Sequence, residues 1–246
     1  MKFEIVKIEF IWVDLANMSR IHFNEENHTY QDLDSGLFLT PVSTVYSRYK
    51  NEFVVTGPML INAGIKNNIH PRDVQDFWSL GTKYSQSKGT CIHLCLQCWI
   101  EYKILLDDDL KHWVFQFDEL KISGDLSCEE RVFSLEHLVC GTADLVVREF
   151  GVTDIYDFKS NKKLEKVAYG NKKMKDICSA FSDCNFSHYS IQLSLYAAML
   201  ELSGETIGNL YLLYLNPKTK LLEKYSVYFY KELAYKLLDK NRDINI

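Results

Sequence analysis

Nothing in the sequence is both long and apolar enough to cross a bilayer, which takes about 20 predominantly apolar residues. The nearest approach, Phe3 to Leu15, is broken by Glu4, Lys7, Glu9 and Asp14. The same interruptions remove the unbroken apolar centre of a secretory signal, so an intracellular protein without a membrane partner is expected. Proline is scarce, at 4, and glycine reaches only 11. With no repeat and no low-complexity tract, collagen-like and disordered classes are excluded and no linker is visible. Cysteines number 7, an odd count in a chain of 246 residues. A chain of that size needs no disulfide staples, and reduced thiols are expected. Positive charge is also in short supply: 28 Lys and Arg against 33 Asp and Glu leave −5, which argues against a histone-like polycation.

What is present is enough apolar residue, 47%, to build one core. We read a single domain over 1–246, with an N-terminal elaboration (1–70) on a core of 71–246. Val6, Ile8, Phe10 and Trp12 alternate with charged residues as in a half-buried strand. A small meander follows through Ile21-His22-Phe23, His28–Leu33 and Leu37–Leu39, and Pro41 opens a helix to Tyr49. Helical patterning resumes near Pro71 and, interrupted around Gly81, runs to about Leu106. Strands are expected over His112–Ile122, Arg131–Val139, and Ala143–Arg148 paired across Gly151 with Val152–Phe158. An amphipathic helix over Ser187–Leu202, a hairpin of Gly208–Leu215 with Leu221–Tyr228, and a helix over Tyr230–Lys240 complete the chain. The order describes an α/β fold with a mixed sheet, neither a barrel nor a doubly wound nucleotide fold.

Four local features carry chemistry. Gly89-Thr90-x-x-His93 reads as a glycine leading into a helix with a histidine on its first turn. Gly141-Thr142-Ala143-Asp144 leads into an apolar strand. In Asp157-Phe158-Lys159, alternation sends acid and lysine to one side of a strand, about 7 Å apart along the backbone. Gln192-x-x-x-Tyr196 lies on the long helix. Asp144 precedes Asp157 at the separation of a hairpin partner. Two carboxylates and an imidazole suit Mg²⁺ or Mn²⁺, one or two ions, in phosphodiester hydrolysis.

Together these residues resemble the PD-(D/E)xK nuclease superfamily in its RecB-type exonuclease branch, whose ordered pattern is G-x-x-x-H, G-x-x-D, D-x-K and Q-x-x-x-Y. The match spans roughly residues 85–200. Thr29-Tyr30 with Leu39–Val45 is similar, more weakly, to the start of small phage-type exonucleases. The resemblance implies a restriction-endonuclease-like core (αβββαβ) flanked by helices, and a metal-dependent DNA nuclease, an exonuclease more than an endonuclease. It implies His93, Asp144, Asp157 and the Phe158 carbonyl as metal ligands, and Lys159 as the residue that positions the attacking water. Gln192 and Tyr196 would support the site and touch the nucleic-acid backbone. Where many members carry an acid one turn after the histidine this chain has Gln97, with Glu101 as a substitute. Iron–sulfur members place three cysteines after the Q-x-x-x-Y helix; none follows Cys184 here, so no such cluster is expected. No helicase segments are present, which implies action alone or with a separate recombination or replication partner.

The charge is unevenly placed. Residues 1–158 hold 14 Lys and Arg against 24 Asp and Glu, and 159–246 hold 14 against 9. The basic excess begins with Lys159 and continues through Lys162, Lys163, Lys166, Lys172, Lys173 and Lys175, a run suited to tracking DNA phosphates. The alternative is a catalytically silent DNA-binding or scaffolding module on the same fold. Cys91, Cys95 and Cys98 have the C-x3-C-x2-C spacing of radical S-adenosylmethionine enzymes, but their helical context makes them core thiols on one face. His22, His28, His70, His112, His137 and His188 are read as structural or exposed.

Overall fold

The computed structural model describes residues 20–24 and 29–245. The expected strand around Val6–Trp12, and His28, lie outside them. The meander is present as β1 (Ile21–Asn24), β2 (Thr29–Asp32) and β3 (Phe38–Pro41), followed directly by α1 (Val42–Ser47). Next come α2 (Gly57–Asn67), α3 (Val74–Tyr102) and α4 (Lys111–Glu119). The core strands are β4 (Asp125–Ser134), β5 (Val139–Glu149) and β6 (Val152–Lys159), then α5 (Asn185–Leu202), β7 (Ile207–Leu215), β8 (Leu222–Val227) and α6 (Lys231–Asn245). The result is a mixed eight-stranded sheet in the order β1-β2-β3-β5-β6-β7-β8, with β4 also paired to β5. Helices flank it, and the architecture is restriction-endonuclease-like. No helix among the described residues is long and apolar enough to cross a membrane.

Several elements differ from expectation. The run from His112 is a helix. Trp113, Phe115 and Phe117 alternate like a strand, but Trp113, Val114 and Phe117 are the buried set and Phe115 is exposed. That is helical spacing, and Asp107, whose carboxylate accepts from the Asp109 N–H, with Asp108 and Asp109, supplies negative charge at the helix N-terminal end. The first core strand therefore begins at Asp125, and Arg131–Val139 straddles a turn. Helix α3 passes through Gly81 without a break, since an exposed helical glycine costs only about 1 kcal/mol. Gly89 thus lies inside a 29-residue helix rather than leading one, and His93 is deep within it. Helix α2 was not foreseen. Helix α5 is not amphipathic: it is buried on nearly every face, with the Ser190 and Ser194 hydroxyls bonded to backbone carbonyls one turn back.

Two apolar layers sandwich the sheet. On one side α5, α1 and α6 pack around Ile155, Leu193, Leu195 and Leu212. On the other, α3 and α4 cover Leu145, Tyr156, Phe158 and Leu213.

Candidate functional site

The site follows from a hairpin register. Strands β5 and β6 turn through Phe150 and Gly151, both with positive φ (51° and 78°), as two-residue hairpins require. That turn sets the pairs from Glu149↔Val152 to Leu145↔Tyr156, where the ladder stops. Strand β4 occupies one edge of β5 along residues 139–148. Strand β3, paired to Val139 and Cys140, must therefore share the opposite edge with β6. On that edge, between β3 and β6, Gly141-Thr142-Ala143-Asp144 faces no strand among the described residues, and the sheet has a notch there.

Asp144 fills it. One carboxylate oxygen accepts the Phe158 N–H at 2.5 Å; the other lies 3.4 Å from His93 Nδ1, which reaches down from α3. Because the N–H and C=O of a strand residue point to the same edge, the Phe158 carbonyl faces the notch too. Strand β4 contributes a residue that the sequence reading passed over. Glu129 takes a φ of 50° and interrupts the β4–β5 ladder between Cys128↔Leu145 and Glu130↔Ala143. Such an irregularity re-aims a side chain, and ligand atoms of His93, Glu129 and Asp144 lie within 4.8 Å of one another. These three could hold a divalent cation.

Asp157 belongs to an adjoining group. Its carboxylate is 2.6 Å from Lys159 Nζ and accepts from Gln192 Nε2 at 3.3 Å. The same amide donates to the Tyr196 hydroxyl at 2.9 Å, and the Lys159 ammonium stands 5.0 Å over the Tyr189 ring. The structure thus brings Glu129, not Asp157, into the trio with His93 and Asp144. Glu101, the expected substitute acid, is exposed and accepts from Gln97 at 3.1 Å; Glu129 is the acid beside His93. Among the cysteines, Cys95 is buried and Cys98 half-buried, but Cys91 faces solvent, so the three do not form one buried face.

Electrostatics separates the groups. Burial pushes the Glu129 carboxyl up to about 7, reinforced by the Asp144 charge. Burial also raises Asp157 to about 6, with Asp144 adding to it against the pull of Lys159. Asp144 goes the other way: burial opposes its charge, but His93 and Lys159 hold it below the usual carboxylate range. For His93 and Lys159, burial disfavours the cation and the carboxylates outweigh it, so both are raised.

The elaboration lines the notch. A cavity of about 160 Å³ is bounded by Tyr30, Ser43, Gly141, Thr142, Gln192 and Tyr196, among others. Thr142 Oγ1 bonds the Tyr30 hydroxyl at 3.2 Å and also takes a hydrogen bond from Arg131. Of the basic run, every lysine from Lys162 to Lys175 is exposed, and they differ in what they touch. Lys163 pairs with Glu165 at 2.6 Å, Lys166 stands 4.3 Å over the Tyr225 ring, and Lys173 donates to the Ala180 carbonyl. Tyr169, 97% exposed, precedes a turn with positive φ at Gly170 and Asn171.

No protein-family profile matches the chain, and no curated protein matches it. Among solved structures, the chain is similar to a protein designated SSO0001, at 12% identity and a TM-score of 0.38, over 84% of this chain and 76% of that one. It is also similar to a "putative exonuclease" of Eubacterium rectale, at 11% identity and a TM-score of 0.40, over 92% of this chain and 88% of that one.

Proposed function

We propose that the protein is a metal-dependent DNA nuclease, acting as an exonuclease of the PD-(D/E)xK type, with DNA as substrate and a recombination or replication protein as a candidate partner. The observation that carries this is the notch. There one helix and three strands deliver an imidazole, three carboxylates and a lysine to one interruption of the sheet. The donor set is hard oxygen with one nitrogen, which fits Mg²⁺ or Mn²⁺. His93, Asp144, Glu129 and the Phe158 carbonyl would hold the ion. When bound, it would polarise the scissile phosphate and lower the pKa of water.

The chain's own residues do the rest. Lys159, charged and held between Asp157 and the Tyr189 ring, orients the attacking water and faces the developing negative charge. Asp157 fixes that ammonium, and Gln192, anchored on Tyr196, fixes Asp157. The exposed Lys162 and Lys172 meet the strand's phosphates as it leaves the notch.

End-labelled single strands, blunt duplexes and closed circles, each with Mg²⁺ or Mn²⁺, test the reading in one experiment. Cleavage that starts at ends, spares circles and stops with EDTA is the expected result. Cleavage unchanged in Asp144→Asn and Lys159→Ala removes it, and binding with no cleavage under any divalent ion leaves a nucleic-acid-binding module instead.

A further inference from the structure

A second, smaller cavity lies on the other side of Lys159. It measures about 40 Å³ and is lined by Lys88 and Ile92 of α3, His112 and Trp113 of α4, Ser160, and Lys220 of the β7–β8 turn, among others. Nothing in the nuclease chemistry above uses it.

Its position is tied to the site. Ser160 follows Lys159 directly, one strand step of about 3.3 Å. Lys88 precedes His93 by five residues, about 7.5 Å along the helix. The cavity therefore adjoins the site along both elements, with Ile92 directly before His93 on α3 and Ser160 two residues beyond Phe158.

Its charge is one-sided, although Ile92, Leu110, Trp113, Leu215 and Pro217 make much of the wall apolar. No carboxylate is among the lining residues, in a protein whose acids outnumber its bases. His112 Nε2 is shielded from solvent and has no hydrogen-bond partner among the described residues, and a buried polar atom of that kind is costly unless something satisfies it. Lys220 is held at a φ of 60°, a conformation disfavoured for residues with a Cβ. Gln116 keeps it there by donating to the Lys220 carbonyl at 2.8 Å while accepting from the Leu222 N–H at 2.9 Å. The turn is thus clamped to α4 with its lysine at the cavity. The volume suits about three water molecules, at 10–15 Å³ each. That is room for the oxygens of one phosphate group, but not for a nucleobase.

We propose that this cavity binds a phosphate of the nucleic-acid strand adjacent to the scissile one, contacted by Lys88, Lys220 and His112 Nε2. The inference rests on the nucleic-acid reading of the notch and names a part of that substrate. The group bound is either an internal phosphodiester or a terminal phosphate, two sources of one chemistry.

The test is binding in EDTA, where cleavage plays no part. Kd for a labelled single strand is measured by fluorescence anisotropy across a salt series, for the wild type and for Lys88→Ala/Lys220→Ala. The double variant is expected to bind about tenfold more weakly at low salt, with a log–log salt slope shallower by about 1.4, or 0.7 per lost contact. The His112 ring resonance should shift when oligonucleotide is added, which reports on the cavity even if the variant folds poorly. A 5′-phosphorylated and a 5′-hydroxyl oligonucleotide of one sequence separate the sources. A preference for the phosphorylated strand that vanishes in the double variant assigns a terminal phosphate, and equal binding with equal loss assigns an internal one. An unchanged Kd and slope in the double variant, an unmoved His112 resonance, or a wild type that binds neither strand overturns the proposal. A wild type that binds this way without cleaving overturns the nuclease alone.

Discussion

The ring of Tyr196 stands where a side chain on residue 141 would have to be. A Cβ built on Gly141 would fall 2.6 Å from Tyr196 Cε1 and 3.2 Å from its hydroxyl. The glycine of the G-x-x-D segment and the tyrosine of the Q-x-x-x-Y helix are therefore one packing unit. Through Gln192, that unit reaches Asp157.

Gly141→Ala should displace Tyr196 and, with it, the Gln192 amide. Overpacking of this kind costs about 1–3 kcal/mol. Chemical denaturation should show that loss, and cleavage should fall at least tenfold more than in Gly81→Ala, a position with open space around it.

Glu129 and Glu101 are distinguished by one comparison. Glu129→Gln should weaken Mn²⁺ binding by at least about 10- to 100-fold, the range for removing a residue that only supports a metal ligand. Glu101→Gln should change it less than twofold. Calorimetric titration of both variants with Mn²⁺ decides which acid accompanies His93; equal losses would count against the trio.

Without metal, the folded protein should lose stability as pH rises from about 4.5 to 7. A carboxyl whose pKa is higher in the fold, as for Glu129 at about 7 against an ordinary 4.5, binds its proton more tightly when folded. Stability is thus greatest below the ordinary value and declines up to the folded one, by on the order of 3 kcal/mol at most for this group. Urea denaturation in EDTA at pH 5 and pH 8 measures the decline. Glu129→Gln should remove most of it, and Mn²⁺ should stabilise the wild type more at pH 8 than at pH 5.

Lys159→Met keeps an apolar stem over Tyr189 and removes the ammonium. Turnover should drop by about 10² to 10⁴, the range for a residue acting on the attacking water, with Mn²⁺ affinity changed far less. A parallel fall in metal affinity and turnover would place Lys159 in ion binding instead.

The exposed pair Lys162 and Lys172 should each steepen the salt dependence of DNA binding. Replacing both by alanine should make the log–log slope shallower by about 1.4 on single strands, with turnover at saturating substrate unchanged.

Much of the fold was legible because turn chemistry and alternation agree in the meander, in the β5–β6 hairpin and in β7–β8. The Asp157–Lys159 pairing follows from the two-residue period of a strand alone. What was not legible depended on tertiary context. Trp113, Phe115 and Phe117 alternate well enough for a strand, and only the acidic segment before them and the buried set Trp113, Val114 and Phe117 favour a helix. That misreading placed the first core strand at His112–Ile122 and began the next only at Arg131, which hid Glu129, whose position opposite Asp144 appears only when the strand begins at Asp125. Gly89 resembled a helix start because glycine usually punctuates. Inside α3 it lies against Ser160, whose hydroxyl would be 3.5 Å from an added Cβ. The near-uniform burial of α5 could not be read from residue spacing, because its contacts come from α1, α6 and the sheet together.

The notch also has a history in time. One of its walls is β3, joined to β5 by Thr40↔Val139 and Pro41↔Cys140, partners roughly a hundred residues apart, and pairings that distant form slowly. Helices and the β5–β6 hairpin need no such closure. During refolding, the far-ultraviolet signal should therefore recover before the site does, and a chain still emerging from the ribosome would hold Asp144 beside Phe158 only after the whole of β5 and β6 had been made.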